Sequence, residues 1–129
     1  MTGPLEGVKV LDLTSVLLGP YATQIMGDLG ADVIKIESPA GDTTRQTGVE
    51  RNPGMASFFL IANRNKRSLV LDLKKEAAKE ALWRLIDTAD VFIHAIRPKA
   101  IRRLGFGPEA VLARNPRIVY AGVHGFKED

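Results

Sequence analysis

Apolar and polar positions alternate along this chain in blocks that change period. Val8 to Leu13, Val-Lys-Val-Leu-Asp-Leu, mixes alternation with continuous apolar character. That pattern predicts a strand covered on both faces of a sheet. After Thr14 to Gly19, Pro20 suits the first turn of a helix, where its missing N–H costs nothing. Ala22, Ile25, Met26 and Leu29 then recur at helical spacing, which predicts a helix burying that stripe, ended by Gly30. Val33 to Glu37 reads as a second strand, so the opening is a right-handed parallel crossover.

Ser38 to Arg67 breaks the rhythm. It is rich in Gly, Pro, Thr and Asn, and Met55 to Ile61 is its one apolar patch, a candidate short helix. Loops of this length are usually functional or disordered. Leu69 to Leu73 reads as a third strand. Lys75 to Asp87 reads as a helix with Ala78, Leu82, Leu85, Ile86 and Ala89 on one face. Glu80 and Arg84 form a favourable i, i+4 pair, and Trp83 lies off the stripe, half exposed or packed on a partner. Val91 to Ile93 is a fourth strand. Pro98 to Leu104 and Pro108 to about Asn115 are short helices, closed by Gly105 and Asn115-Pro116. Ile118 to Val123 is a fifth strand. The predicted order is β-α-β-(long loop)-β-α-β-α-α-β, an open α/β parallel sheet with helices on both faces. Ligands in such sheets bind beyond the carboxyl ends of the strands. Val16 to Leu18, Ser38, Lys74 and Ala95 to Arg97 fall around that rim.

Composition narrows the classes. A chain of 129 residues, 45% hydrophobic and 26% charged, is at most one ordinary globular domain, residues 1–129. No apolar run reaches the roughly 20 residues of a membrane span, and no secretory signal pattern is present. The cytoplasm is the expected location. No cysteine is present, which excludes disulfides, thiolate metal sites and cysteine nucleophiles. The net charge of +3 divides unevenly: residues 1–62 carry −3, and residues 63–129 carry +6. The basic half favours an anionic ligand, against the plain alternative of a solvated surface. Nucleic acid is not expected as a partner, because no aromatic residues interleave with the bases.

Candidate chemistry is sparse. The turn after the first strand lacks G-x-G-x-x-G, which argues against a nicotinamide site. His94 and His124 have no carboxylate at ligand spacing, so both read as structural and no metal is expected. Asp12 and Asp72, in Leu-Asp-Leu contexts, read as acceptors of local hydrogen bonds. Arg64, Lys66 and Arg67 run into the third strand. They could hold an anion at the sheet edge or form a solvated loop, and the ordinary exposure of Lys and Arg favours the loop. Arg97, Lys99, Arg102 and Arg103 form a second basic cluster beside Pro98. Arg45, in the long loop, could close over a ligand.

A resemblance covers the whole chain in order. Its motifs are Leu5-x-Gly7-Val8-x-Val10-Leu11-Asp12-Leu13, Gly19-Pro20, Asp28 to Glu37, Gly41-Asp42 with Arg45, Asn63 to Lys74, Ala89-Asp90-Val91, Arg97-Pro98, Leu104-Gly105 and Arg114 to Arg117. Asn63 to Lys74 looks like the NRGKRS-x-x-LDLK signature of the class III coenzyme A transferases. That family contains formyl-CoA transferase, carnitine CoA-transferase and the α-methylacyl-CoA racemases. The resemblance implies a Rossmann-like domain that binds coenzyme A, in an enzyme moving it from a CoA thioester to a carboxylic acid. It implies an interlocked homodimer. By motif, Val16, Leu17, Leu18, Ser38, Leu71, Asp72, Leu73, Lys74, Ala95, Ile96, Arg97 and Arg103 would contact coenzyme A. The chain departs from the family in Ala95-Ile96-Arg97-Pro98-Lys99, where an Asn-x-Arg-Pro-Gly-like segment is common, and at Ser38, often Arg.

The resemblance places no catalytic residue within 129 positions. The transferase aspartate, which forms an acyl anhydride and then a thioester, falls past Gly125-Phe126. So does the racemase His and Asp pair. His124 precedes that point, and Asp129 comes too early. The chain therefore resembles the first third of a member, with the small domain absent. The alternatives are the corresponding part of a racemase, or a non-catalytic association domain.

Overall fold

The computed structural model describes residues 2–126. Five strands, β1 (Lys9–Leu13), β2 (Asp32–Glu37), β3 (Lys66–Val70), β4 (Val91–His94) and β5 (Val119–Gly122), form one sheet in the order β3-β2-β1-β4-β5. Every neighbouring pair is parallel. The helices are α1 (Leu18–Asp28), α2 (Ser57–Ala62), α3 (Glu76–Ile86), α4 (Pro98–Leu104) and α5 (Pro108–Arg114). The Rossmann-like α/β sheet expected from the sequence is the fold observed. Chain direction across the sheet reverses between β1 and β4, the switch point where such folds open a crevice.

Alternation sorts the strand residues onto two faces. Leu11, Leu13, Ile36 and Phe92 join Leu82 and Ile86 of α3, Ile101 of α4 and Val111 of α5 in the main core. The expected α3 stripe holds: Leu82, Ile86 and Ala89 are buried, and Glu80 accepts from Arg84 at 2.6 Å. Trp83 is half-buried and its ring lies 4.8 Å from that of Phe106. On the opposite face Val10, Val33 and Ile93 form a smaller cluster beside Met26 of α1.

Two elements differ from the expectation. α1 starts at Leu18, and most of its expected stripe faces outward: of Ala22, Ile25, Met26 and Leu29, Met26 alone is half-buried and packs on the sheet. Gly19, Pro20, Thr23, Gln24 and Gly27 are its buried residues. Ile25 and Leu29 of the expected stripe are 42% and 41% exposed, and Leu18 and Tyr21, outside it, are 68% and 54% exposed. The cause lies in the sheet beneath. That face presents Asp12, Lys35 and Lys66, so the helix turns its hydroxyl and its small residues inward. The second difference is β3. Its register, Val33 opposite Lys66 through Glu37 opposite Val70, puts the basic segment in the strand. The apolar run Leu71 to Leu73 lies past its end.

The long segment 38–67 contains elements of its own. A 3-10 turn at Thr43–Gln46 and α2 pack together within it. The expected short helix at 55–61 is α2, shifted by two residues at its start.

Candidate functional site

Beneath the amino end of α1 lies a buried ionic network. Lys66 Nζ donates to Asp12 Oδ2 at 3.0 Å, to the Pro20 carbonyl at 2.9 Å and to Asn63 Oδ1 at 2.9 Å. Asp12 also accepts from the Thr14 amide and from the Thr14 and Thr23 hydroxyls. Burial pushes the Lys66 ammonium below its usual pKa, against the pull of the Asp12 charge. Lys35 Nζ donates to Asp42 at 2.9 Å and to the Thr14 carbonyl at 3.0 Å. A buried charge is tolerated when it is paired and its remaining sites are hydrogen-bonded; Lys66 uses all three donors this way, and Lys35 is paired and bonded through two.

The basic stretch 64–67 is therefore not an anion cradle. Arg64 pairs with Asp28 at 2.7 Å and Arg67 with Asp32 at 2.7 Å. Asn65 stands where the family signature has glycine and sits at φ 60°, a left-handed conformation that asparagine tolerates. Its amide donates to Asp28 at 2.7 Å. Asn63 donates to the Phe59 carbonyl, closing α2. The stretch knits β3, α1 and α2 together. The reading of Asp12 as a hydrogen-bond acceptor holds.

Arg45 does not reach for a ligand either. Its guanidinium forks onto Glu37, at 2.9 and 2.6 Å, and lies 3.9 Å from the centre of the Phe59 ring. Burial pushes the Glu37 carboxyl up, but Arg45, the Asp42 amide and Lys35 outweigh it and hold it below its usual range. Glu37 sits at the end of β2, where a dinucleotide fold keeps a carboxylate for ribose. Here that carboxylate is spent on Arg45.

Above this network, at the carboxyl ends of the strands, a cleft of about 460 Å³ opens. Leu13, Ile36, Leu71, Leu73, Ile96 and Leu104 give it a largely apolar lining, and Lys74 stands among them. Val16, Ser38, Leu71, Asp72, Leu73, Lys74 and Ile96, seven of the twelve expected contact residues, line it together. Leu17 and Leu18 follow Val16 and are exposed. Ala95, Arg97 and Arg103 do not line the cleft but adjoin Ile96 and Leu104, which do. Sequence reasoning missed the wall formed by Glu37, Gly41, Asp42 and Thr43. Its signal was Lys35, a charge at the centre of an apolar strand.

One backbone feature marks the rim. Val16 has φ 69°, a left-handed conformation that is rare for a β-branched residue. Both Asp42 carboxylate oxygens lie 3.3 Å from its amide. Asp42 is in turn held by Lys35 and by the amide and hydroxyl of Thr44.

Many of the cations are committed to carboxylates. Lys35, Arg45, Arg64, Lys66, Arg67, Lys79, Arg84, Arg102 and Arg114 are paired with carboxylates. Among the described residues Lys74, Arg97 and Arg103 have no side-chain ion-pair or hydrogen-bond partner, and all three are exposed. The cleft thus combines an apolar lining with uncommitted positive charge beside it. Such a site suits an amphipathic anion, with an apolar or aromatic part inside and phosphates at the rim. Among the described residues no group of His, Asp and Glu could hold a metal ion, and no helix is long and apolar enough to cross a membrane.

Sheet and switch-point cleft together define a Rossmann-like α/β protein. The profile of CoA-transferase family III matches residues 5–129, and the chain belongs to that family. It is 46% identical over 120 residues to Rv3272 of Mycobacterium tuberculosis, described as a probable fatty acyl-CoA transferase, covering 92% of this chain and 30% of that protein. It is 45% identical over 126 residues to a formyl-CoA:oxalate CoA-transferase of Streptomyces avermitilis, covering 98% and 31%. A crystal structure of a CAIB/BAIF family protein from Brucella suis superposes with a TM-score of 0.91 at 40% identity, covering 98% of this chain and 34% of that one. The chain spans about 30% of the length of the curated relatives it matches.

Proposed function

We propose that this cleft binds coenzyme A and its thioesters, within a protein that moves coenzyme A between carboxylic acids. The observation that carries the reading is the apolar cleft at the strand ends with Lys74 in its lining, while Arg97 and Arg103 directly neighbour its lining residues Ile96 and Leu104 in the chain; none of the three has a partner among the described residues. The nucleotide and pantetheine parts supply the matching apolar and anionic surfaces. The twelve expected contacts, Val16 to Leu18, Ser38, Leu71 to Lys74, Ala95 to Arg97 and Arg103, are its binding residues in this reading.

The group-transfer chemistry is assigned to residues beyond position 129. An aspartate carboxylate would attack the thioester carbonyl, the C–S bond would break, and coenzyme A would leave as thiolate, giving an acyl anhydride. The thiolate would then attack the aspartyl carbonyl, releasing the first acid and forming an aspartyl thioester. The acceptor acid reverses these steps.

Isothermal titration with coenzyme A tests the binding role. Arg97→Ala and Arg103→Ala should each weaken binding by about tenfold, the worth of one charge-assisted contact. No heat at millimolar coenzyme A with the unaltered protein would end the reading.

A second role has its own support. The outward apolar stripe of α1 is a surface suited to covering. We assign it to association, with a second copy as the occupant consistent with a homodimer.

A further inference from the structure

His94 ends β4 and is 2% exposed. The Ile96 amide donates to its Nδ1 at 3.1 Å. A nitrogen that accepts carries no proton, so the neutral ring holds its proton on Nε2. Nε2 lies 3.0 Å from the Tyr120 hydroxyl. That hydroxyl donates to the Phe106 carbonyl at 2.8 Å, so it must accept from Nε2. One tautomer satisfies all three bonds at once. The resulting line, Ile96 N–H to His94 to Tyr120 to Phe106, joins the turn after β4, strand β5 and the link between α4 and α5.

The turn it holds is the one that brings Ile96 into the cleft and makes Arg97 the residue preceding α4. Ala95, between His94 and Ile96, has no side-chain acceptor. The ring also faces Phe92, Tyr120 and His124 at 6.1, 5.3 and 5.6 Å, which fixes its plane. We propose that His94 is a positioning residue for the coenzyme A cleft: its Nδ1 holds the turn that presents Ile96 and Arg97. The proposal rests on the cleft being the coenzyme A site, as argued above.

Nitrogen NMR of the unaltered protein reads the tautomer directly. The expected result is an unprotonated Nδ1, a protonated Nε2 and an Ile96 amide protected from exchange. His94→Gln loses the acceptor at the Nδ1 position, and coenzyme A should then bind about tenfold more weakly, the net worth of one hydrogen bond. His94→Asn places an amide oxygen near the Nδ1 position and should restore binding to within about threefold. The opposite tautomer, an unprotected Ile96 amide, or equal losses in the two variants would overturn the proposal. If the unaltered protein binds no coenzyme A, the cleft reading fails and with it the role for that ligand. The tautomer and the Ile96 amide then still decide whether His94 holds the turn. Should His94→Gln not fold, the measurements on the unaltered protein decide alone.

Discussion

Lys66 Nζ and Asp12 Oδ2 lie 3.0 Å apart with side chains 2% and 0% exposed, joining the start of β3 to the end of β1 across β2. The most basic stretch of the sequence thus contributes its central charge to the interior. Removing one partner of a buried pair strands the other without compensation. Lys66→Ala should cost about 3–5 kcal/mol in chemical denaturation, whereas Arg67→Ala, at an exposed pair, should cost under about 1 kcal/mol. Equal losses would show that Lys66 is solvated.

Arg45 organises the long loop through Glu37 and Phe59. Arg45→Ala should cost about 2–3 kcal/mol, in the range for hydrogen bonds to charged groups. Cleavage by a protease should increase within residues 46–56, which the clamp holds in place. Unchanged proteolysis would mean that the segment is held by α2 alone.

The outward stripe of α1 gives a test with little effect on the fold. Ile25→Glu with Leu29→Lys replaces exposed apolar groups, so thermal stability should change little. Concentration-dependent size in light scattering should fall. Loss of cooperative unfolding would show instead that the stripe packs within the chain.

Acid should destabilise the protein in two stages. Burial, and then the charge of His124, hold folded His94 at about 4, against 6.5 for the free ring. Between those values only the unfolded chain takes up the proton. Stability is therefore full above pH 6.5 and declines toward pH 4, by on the order of 3 kcal/mol. Glu37 and Asp42 titrate below their ordinary values when folded, so their contribution is lost at lower pH still. Denaturation curves across this range check the sign, and His94→Asn should flatten the upper stage only.

The sequence by itself determined the strand and helix order, the parallel sheet, the α3 stripe and the family. Each rests on local periodicity, on Gly and Pro at element ends, or on motifs contiguous in the chain. It also placed the rim, because residues that follow parallel strands must share one edge. Only the tertiary structure decided which way α1 faces, since Ala22, Ile25, Met26 and Leu29 look the same in sequence whether they meet a core or solvent. Three charges on the sheet, Asp12, Lys35 and Lys66, come from strands far apart in sequence and reach one face only after pairing. They made the polar side of α1 the buried one. The same long-range pairing turned Lys66 and Arg45 from apparent ligand cations into internal partners and left Lys74, Arg97 and Arg103 beside the cleft.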